Sequence, residues 1–191
     1  LPFHSQRLAA FSQVQVQYGH TPVCPPVSFT LEQRDRVALV GKNGSGKTSL
    51  LRLLTDGAVP YVGEMHKASG LVISLVPQDA SFLRGSLSRL IQEEGLDESL
   101  FKAILRKMDF ARIQFEKNLE DLSQGQKKKV LLARSLCQRA HVYVWDEPLN
   151  YIDIYSRLQI EELIQQFTPT MLFVEHDQAF REKIATKKVF L

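Results

Sequence analysis

Apolar and polar residues alternate along the first part of the chain. Val14, Val16 and Tyr18 fall on one face of a strand while the glutamines between them fall on the other, and residues 27–31 (VSFTL) repeat the alternation. A period of two is typical of half-buried antiparallel strands. The turn-rich segment 19–26 (GHTPVCPP) lies between these runs, so the pattern predicts two strands joined by a short loop.

The rest of the chain alternates between continuous apolar runs and runs with helical spacing. Continuous runs are typical of strands that a parallel sheet buries on both faces. We predict strands at residues 36–40, 71–76, 141–145, 171–174 and 188–191. Helical spacing of the apolar residues predicts helices at residues 47–54, 124–139, 155–167 and 178–185. Strands that alternate with helices predict an α/β core with a mainly parallel sheet.

Residues 86–115 interrupt this alternation with helical spacing alone. Their apolar positions fall on two amphipathic faces. One face carries Leu87, Leu90 and Ile91, and the other carries Leu100, Ile104, Leu105 and Met108. The pattern predicts a small helical subdomain between the strands, at about residues 79–123.

Composition places the chain among ordinary globular proteins. Hydrophobic residues make up 44% of the 191 residues and charged residues 24%, and no apolar run approaches the roughly 18 residues of a membrane span. The net charge of +3 is too small to indicate nucleic-acid binding by itself. The two cysteines, Cys24 and Cys137, do not form a disulfide framework. We therefore expect a cytoplasmic domain, and the start at Leu1 favours a domain of a longer protein.

Residues 41–48 (GKNGSGKT) lie between a predicted strand and a predicted helix, and they match G-x-x-x-x-G-K-[ST] at every fixed position. Glycines let successive N–H groups turn toward an anion, and the start of the helix adds its positive dipole end. Lys47 would bridge the β- and γ-phosphates of a nucleotide, and Thr48 would ligate Mg²⁺. A dinucleotide fingerprint is excluded because its glycine gaps come in the opposite order. The predicted phosphate-binding residues are Gly41, Asn43, Gly44, Ser45, Gly46, Lys47, Thr48 and Ser49.

Two carboxylates, Asp146 and Glu147, follow the predicted strand at residues 141–145. An acid at the carboxyl end of a parallel strand beside a phosphate loop is well placed to hold Mg²⁺, so Asp146 is a predicted metal ligand. Glu147 would point at a water in line with the γ-phosphate, and we predict that it is the general base.

Residues 122–126 (LSQGQ) begin another predicted helix, where a serine and a glycine can donate hydrogen bonds to a second anion. With this turn included, nearly the whole chain resembles the nucleotide-binding domain of the ABC ATPases. The motifs follow in the order of that family. They are Walker A at residues 41–48, the Q-loop at Gln78, the signature at residues 122–126, Walker B at residues 142–147 (VYVWDE), the D-loop through Asp153, and the switch histidine His176 in residues 173–177 (FVEHD).

The resemblance implies the fold and the domain organisation. The fold is an α/β P-loop NTPase of ABC type, in which a mainly parallel core sheet carries an antiparallel β subdomain and a small helical subdomain. All residues, 1–191, would form a single ABC ATPase domain. Its antiparallel part would cover about residues 1–35, its core residues 36–78 and 124–191, and its helical part about residues 79–123.

The resemblance also implies ligands and partners. ATP would bind with Mg²⁺, Tyr18 would stack on the adenine, Gln78 would contact Mg²⁺ and the attacking water, and His176 would touch the γ-phosphate. Two such domains would pair head to tail, so that the signature of one closes on the ATP held by the other. Efficient turnover would therefore need a paired ABC domain. The signature residues are Ser123, Gln124, Gly125 and Gln126.

Three positions depart from the common pattern of the family. Gln124 stands where most members have glycine, Leu149 where they have threonine, and Tyr151 where many have histidine. None of these changes removes a phosphate or metal contact. They bear on how the partner's site closes and on its turnover rate.

Residues 146–154 (DEPLNYIDI) resemble the second ATPase domain of ABC-F proteins, especially the antibiotic-resistance branch. That resemblance implies two ATPase domains on one chain, no membrane domain, and a ribosome or rRNA partner. The motor subunit of a membrane transporter is the alternative, and a non-catalytic module that uses ATP as a switch is a third. Lys127, Lys128 and Lys129 would form either an rRNA-facing patch or a solvated helix face, and we favour the solvated face.

Overall fold

The computed structural model describes residues 1–191 as nine strands, six α-helices and two 3₁₀ helices. The strands are β1 (Arg7–Tyr18), β2 (Thr21–Pro22), β3 (Val27–Glu32), β4 (Arg36–Val40), β5 (Tyr61–Lys67), β6 (Ile73–Val76), β7 (Val142–Asp146), β8 (Met171–Val174) and β9 (Lys187–Phe190). The α-helices are α1 (Lys47–Thr55), α2 (Leu87–Glu94), α3 (Glu98–Lys107), α4 (Gln124–Cys137), α5 (Ile154–Phe167) and α6 (Gln178–Ile184). The 3₁₀ helices span Arg112–Glu116 and Leu119–Asp121.

A parallel sheet of five strands forms the core, in the order β6-β7-β8-β4-β9. Every neighbouring pair in it is parallel. The central strand β8 is buried on both faces, since none of its four residues is more than 1% exposed. The predicted α/β fold with a mainly parallel core sheet is confirmed.

The two faces of the core sheet pack against different layers. Leu172 and Val174 of β8 belong to the apolar cluster formed with α1 and the antiparallel strands. Met171 and Phe173, which point to the opposite face, belong to the cluster formed with the helices α2 to α6. The period of two along a strand thus separates the two halves of the core.

The antiparallel sheet contains a strand that the sequence analysis missed. β1 pairs with β2, β3 and β5, all antiparallel. β5 lies in the segment 36–78 that we assigned entirely to the α/β core, so that boundary was wrong. Six of the seven β5 residues are exposed, so no apolar alternation marked the strand. Position 63 accepts only glycine, because an added Cβ would lie 2.1 Å from the Gln13 carbonyl oxygen.

The helical subdomain forms as predicted, but in shorter pieces. Ser86 and Asp97 cap α2 and α3 through their side chains, and Gly95 ends α2 in the left-handed conformation with φ of 61°. The helical pattern therefore does not run unbroken to residue 115. Leu100 was expected on the apolar face of α3, but it is 45% exposed.

Parallel strands bring their carboxyl ends to one edge of the sheet. Four loops therefore meet there, after β4, β6, β7 and β8. These loops carry the phosphate loop, Gln78, the Asp146–Glu147 pair and His176. The helices give no candidate for a membrane-spanning segment, since none is both long and apolar enough.

Candidate active site

The phosphate loop turns on glycines with left-handed backbones. Gly44 has φ of 80° and Gly46 has φ of 87°. A Cβ on Gly46 would lie 3.0 Å from Cys24 Cβ and 3.1 Å from the Val23 carbonyl oxygen, so a side chain there would have to displace the loop that follows β2. Helix α1 begins directly after Gly46, and its free N–H groups face the loop.

A cavity of about 370 Å³ lies above this loop. Most of the residues that the sequence predicted to bind ATP line it, together with Gln78 and Glu147. The lining residues are Tyr18, Val23, Asn43, Gly44, Ser45, Gly46, Lys47, Thr48, Ser49, Gln78, Glu147 and Val174. Gly41 lies behind the loop, where a Cβ would be 2.6 Å from Ser45 Oγ. Val23 and Val174 were not predicted to line the site, because nothing in the sequence pattern distinguishes them from packing residues.

Lys47 is buried at the base of the loop. Its ammonium donates to the carbonyl oxygens of Gly41 and Lys42, the latter at 2.8 Å. Burial lowers the pKa of Lys47, and the nearby Glu147 and Asp146 oppose that shift. A phosphate would supply the negative charge that these neutral carbonyls do not.

Thr48 and Asp146 meet at one side of the cavity. Thr48 Oγ1 donates to Asp146 Oδ2 at 2.9 Å, while the buried Asp146 Oδ1 has no hydrogen-bond partner. Burial raises the pKa of Asp146, the bond from Thr48 lowers it, and Glu147 raises it further. A buried carboxylate oxygen with a free lone pair beside a hydroxyl suits Mg²⁺, which commonly takes one or two protein ligands and the substrate phosphates. The structure contains no group of three or more aspartate, glutamate, histidine or cysteine side chains that could hold a metal ion by themselves.

Glu147 is the centre of the polar contacts in the site. Gln78 Nε2 and Asn150 Nδ2 each donate to its Oε2 at 2.9 Å, and His176 Nε2 lies 2.9 Å from its Oε1. Its backbone is left-handed, with φ of 49°, and its N–H donates to Val174 O at 2.8 Å. The structure thus brings together the three predicted catalytic residues, Gln78, Glu147 and His176, and adds Asn150. The only sequence signal for Asn150 was its position three residues after Glu147.

A second carboxylate holds the loops that carry these residues. The buried Glu175 accepts hydrogen bonds from the backbone N–H groups of His176, Asp177 and Leu149, at 2.9 to 3.1 Å. It therefore joins the turn that follows Glu147 to the loop that carries His176. The role of Glu175 depends on contacts between distant segments, so the sequence pattern did not predict it.

The signature lies away from this cavity. Ser123 caps α4: its Oγ accepts from Gln126 N at 3.2 Å, and Gln126 Oε1 accepts from Ser123 N at 3.0 Å. A Cβ on Gly125 would lie 2.6 Å from the Tyr151 carbonyl oxygen. Neither these three signature residues nor Gln124 lines the phosphate-loop cavity.

Asp153, predicted as the D-loop acid, caps α5. Its carboxylate accepts from Ser156 N at 2.8 Å and Ser156 Oγ at 2.9 Å, and it pairs with Lys129 at 3.0 Å. Partial burial raises the pKa of Asp153, but the bonds from Ser156 and Lys129 and the charge of Lys129 outweigh it and lower the pKa to about 2.

The lysine run after the signature is not a solvated face, so that interpretation was wrong. Lys127 and Lys128 are 8% and 1% exposed, and the side chain of Lys129 is 12% exposed. Lys128 Nζ donates to the carbonyl oxygen of Gln78 at 2.9 Å and lies 3.5 Å from that of Pro77. Burial lowers the pKa of Lys128, against the pull of the surrounding carboxylates. The sequence shows only three consecutive charged residues here, and it does not indicate that Lys128 of α4 packs against the Q-loop.

Comparison with known proteins gives relatives of two kinds. The ribosome protection protein VmlR of Bacillus subtilis is 28% identical over 192 residues, covering 97% of this chain and 34% of its own length. The zinc import ATP-binding protein ZnuC of Photobacterium profundum is 32% identical over 178 residues, covering 89% of this chain and 69% of its own. The chain spans 26% and 34% of the lengths of two Bacillus subtilis relatives, the second being VmlR.

Comparison with solved structures supports the fold. A bacterial Atm1-family ABC exporter with ATP bound superposes with a TM-score of 0.84 and 18% identity, over 100% of this chain and 38% of that one. The profile of the ABC transporter family matches residues 24–150, a segment that runs from the loop after β2 to the turn after Glu147. The chain therefore belongs to the ABC transporter family and is an ATP-binding domain of that family.

Proposed function

We propose that this domain binds Mg·ATP in the cavity above the phosphate loop and hydrolyses it with Glu147 as the general base. One observation carries the proposal: Gln78, Asn150 and His176 each contact the Glu147 carboxylate at 2.9 Å, at the rim of the phosphate cavity. A carboxylate held by several polar side chains beside a phosphate cradle is suited to orienting a water and accepting its proton.

The phosphate loop would bind the β- and γ-phosphates. Lys47 would turn its ammonium from the carbonyls of Gly41 and Lys42 to the phosphate oxygens, where a charged partner gives a stronger hydrogen bond. Thr48 and Asp146 would hold Mg²⁺, with Gln78 beside them. When bound, Mg²⁺ neutralises charge on the phosphates and orients them for attack.

Tyr18, which lines the cavity, would bind the adenine. Tyr18 is 47% exposed, and its hydroxyl lies 3.2 Å from Ser49 Oγ, which holds the side chain over α1. Val23 also lines the cavity. An adenine base would stack on the tyrosine ring and cover the apolar surface of Val23.

A second ABC domain would complete the ATP site. The signature residues of this chain lie outside its own phosphate cavity, so they are free to act on nucleotide held by a partner. Tyr151, Ile154 and Tyr155, beside the signature, are 72%, 69% and 57% exposed. Exposed apolar side chains of this size favour a protein interface at this edge.

For the longer protein we propose the role of an ABC-F translation factor that acts on the ribosome, in the cytoplasm, in antibiotic resistance. Support comes from the segment 146–154 and from VmlR, which matches over 97% of this chain. The transporter motor remains the second candidate, because ZnuC matches at 32% identity. The two roles predict different partners, ribosomes in one case and a membrane permease in the other.

A sedimentation experiment separates the two roles. The full-length protein with Glu147→Gln, which should hold ATP without hydrolysing it, is spun with purified ribosomes and separately with membrane vesicles, with and without Mg·ATP. Lys47→Ala in the same background is the control, because it removes the phosphate contact. We expect ATP-dependent pelleting with ribosomes that the control lacks. Pelleting with membranes alone would overturn the ribosome role and leave the ATP site intact.

A further inference from the structure

Lys128 is buried without an acidic partner. It lies in the second turn of α4, it is 1% exposed, and no ion pair includes it. Lysines are rarely buried this completely unless they are paired, because removing an ammonium from water is costly. A side chain in this position needs a reason beyond filling space.

The contacts of Lys128 show where its ammonium is directed. Nζ donates to Gln78 O at 2.9 Å and lies 3.5 Å from Pro77 O, so it binds the backbone of the turn that follows β6. The Gln78 side chain in turn donates to Glu147 Oε2 at 2.9 Å. One residue, Gln78, therefore joins the signature helix α4 to the carboxylate of the proposed general base.

Filling space does not explain the lysine. Methionine has the length to fill the same space, and it avoids the cost of removing an ammonium from water. What methionine lacks is the pair of hydrogen bonds to the Q-loop carbonyls. The structural effect specific to lysine is thus the position of Gln78.

The start of α4 is tied to the neighbouring loop as well. Lys129 pairs with Asp153 at 3.0 Å, and Gly125 packs against the Tyr151 carbonyl. A cleft of about 340 Å³, lined in part by Lys128, lies between the signature, the Q-loop and the turn at residues 150–151. Helix α4 therefore contacts both segments that support Glu147, the Q-loop through Lys128 and the turn at residues 150–151 through Gly125.

We propose that Lys128 is a positioning residue for hydrolysis, which fixes the Q-loop backbone to the signature helix so that Gln78 holds Glu147. The role rests on the proposed function, since it concerns the same site. Lys128 would thereby connect the signature helix, which would close on the partner's ATP, with the Glu147 carboxylate, which would act on this domain's own ATP.

The test uses the full-length protein and three variants. Lys128→Met removes the two hydrogen bonds and keeps the volume, while Lys128→Arg restores a donor. Lys127→Met is the matched control on the same helix, because Lys127 forms no ion pair or hydrogen bond with its ammonium. The readouts are kcat, KM, the affinity for a fluorescent ATP analogue, and amide hydrogen exchange of residues 78–80 without nucleotide.

For Lys128→Met we expect kcat to fall by about 10- to 100-fold, the usual effect of losing a group that orients a ligand. Nucleotide affinity should stay within about twofold of wild type, because the phosphate loop is untouched. Exchange at residues 78–80 should become faster, Lys128→Arg should recover most of kcat, and Lys127→Met should match wild type. An unchanged kcat, or equal losses of kcat and nucleotide affinity, would overturn the proposal.

A double substitution tests the route through Gln78. If Lys128 acts through that side chain, Lys128→Met with Gln78→Ala should have the kcat of Gln78→Ala alone, whereas multiplied losses would refute the proposal. Lys128→Gln replaces Lys128→Met in the same comparison if the methionine variant does not fold. Absence of ATPase in the wild-type protein would refute the proposed function, while hydrogen exchange at residues 78–80 would still decide whether Lys128 holds the Q-loop.

Discussion

His176 Nε2 lies 2.9 Å from Glu147 Oε1, although the two residues are far apart in the sequence. The contact follows from the pairing of β7 with β8, in which Trp145 lies opposite Phe173 and Asp146 opposite Val174. In-register parallel strands end at the same level, so the residues that follow them become neighbours. The fold thus fixes which histidine can reach which carboxylate.

Glu147→Gln should separate nucleotide binding from hydrolysis. The amide keeps the size of the side chain but cannot accept a proton from water, so we expect kcat to fall by about 10²–10⁴-fold. ATP binding should persist, and ATP should remain trapped in a closed pair of domains. Retention of radiolabelled ATP on a desalting column measures this, and release as fast as from wild type would exclude Glu147 as the base.

Asp146→Asn should weaken the binding of Mg²⁺. The asparagine can still accept the hydrogen bond from Thr48, but it lacks the charge that suits Mg²⁺. We expect the affinity for Mg·ATP to fall by about tenfold or more, while the affinity for metal-free ATP stays that of wild type. Titration with a fluorescent ATP analogue, with Mg²⁺ and with EDTA, measures both values. An equal loss in the two titrations would assign Asp146 to the loop structure instead.

Because the pKa of Asp146 is raised in the folded state, its charge opposes folding at pH values above its ordinary pKa of 3.8. Asp146→Asn should therefore be at least as stable as wild type near neutral pH. This comparison is the stability control for the metal experiment, since it shows that lost affinity does not come from unfolding.

The parts of the site that the sequence could predict are those within one continuous segment. The phosphate loop shows its own chemistry, because three glycines, two lysines and a threonine stand together between a strand and a helix. Likewise, Asp146 and Glu147 follow directly from the end of a buried strand. The structure brings Gln78 and His176 to them, as the order of the parallel strands requires.

The parts that could not be predicted depend on contacts between distant segments. Glu175 and Lys128 are ordinary charged residues in the sequence, and only the packing of a loop in one case and of helix α4 in the other makes each of them a buried hydrogen-bonding centre. The same holds for β5, which is recognisable only through its pairing with β1. Residue type predicts burial poorly where a charged side chain binds backbone groups.

Asp153→Ala should lower stability in a pH-dependent way. Loss of the α5 cap should cost about 1 kcal/mol near neutral pH. Because the folded-state pKa of Asp153 is lowered to about 2 from 3.8, its charged form favours folding. The difference from wild type should be complete above the unfolded pKa and shrink as the pH falls toward the folded pKa.

Urea unfolding at several pH values, between the folded and unfolded pKa values of Asp153 and above them, measures this difference in stability. Asp153→Asn is the matched control, because asparagine still caps a helix but cannot titrate or pair with Lys129. Its stability relative to Asp153→Ala should not change with pH. If the alanine variant kept the same deficit at every pH, the charge of Asp153 would have no part in capping α5.

Gly125→Ala should destabilise the protein even though it lies in a helix. In an exposed helix, exchanging glycine for alanine favours folding by up to about 1 kcal/mol. Here the added Cβ would lie 2.6 Å from the Tyr151 carbonyl oxygen, and backbone atoms on both sides limit the adjustment. We therefore expect a lower midpoint of unfolding and a displaced turn at Tyr151, which would also weaken the closure of the signature on a partner's ATP. Thermal unfolding and the ATPase rate of the full-length protein check the two effects. Higher stability with an unchanged rate would show that the contact between the signature and Tyr151 is loose enough to accept a methyl group.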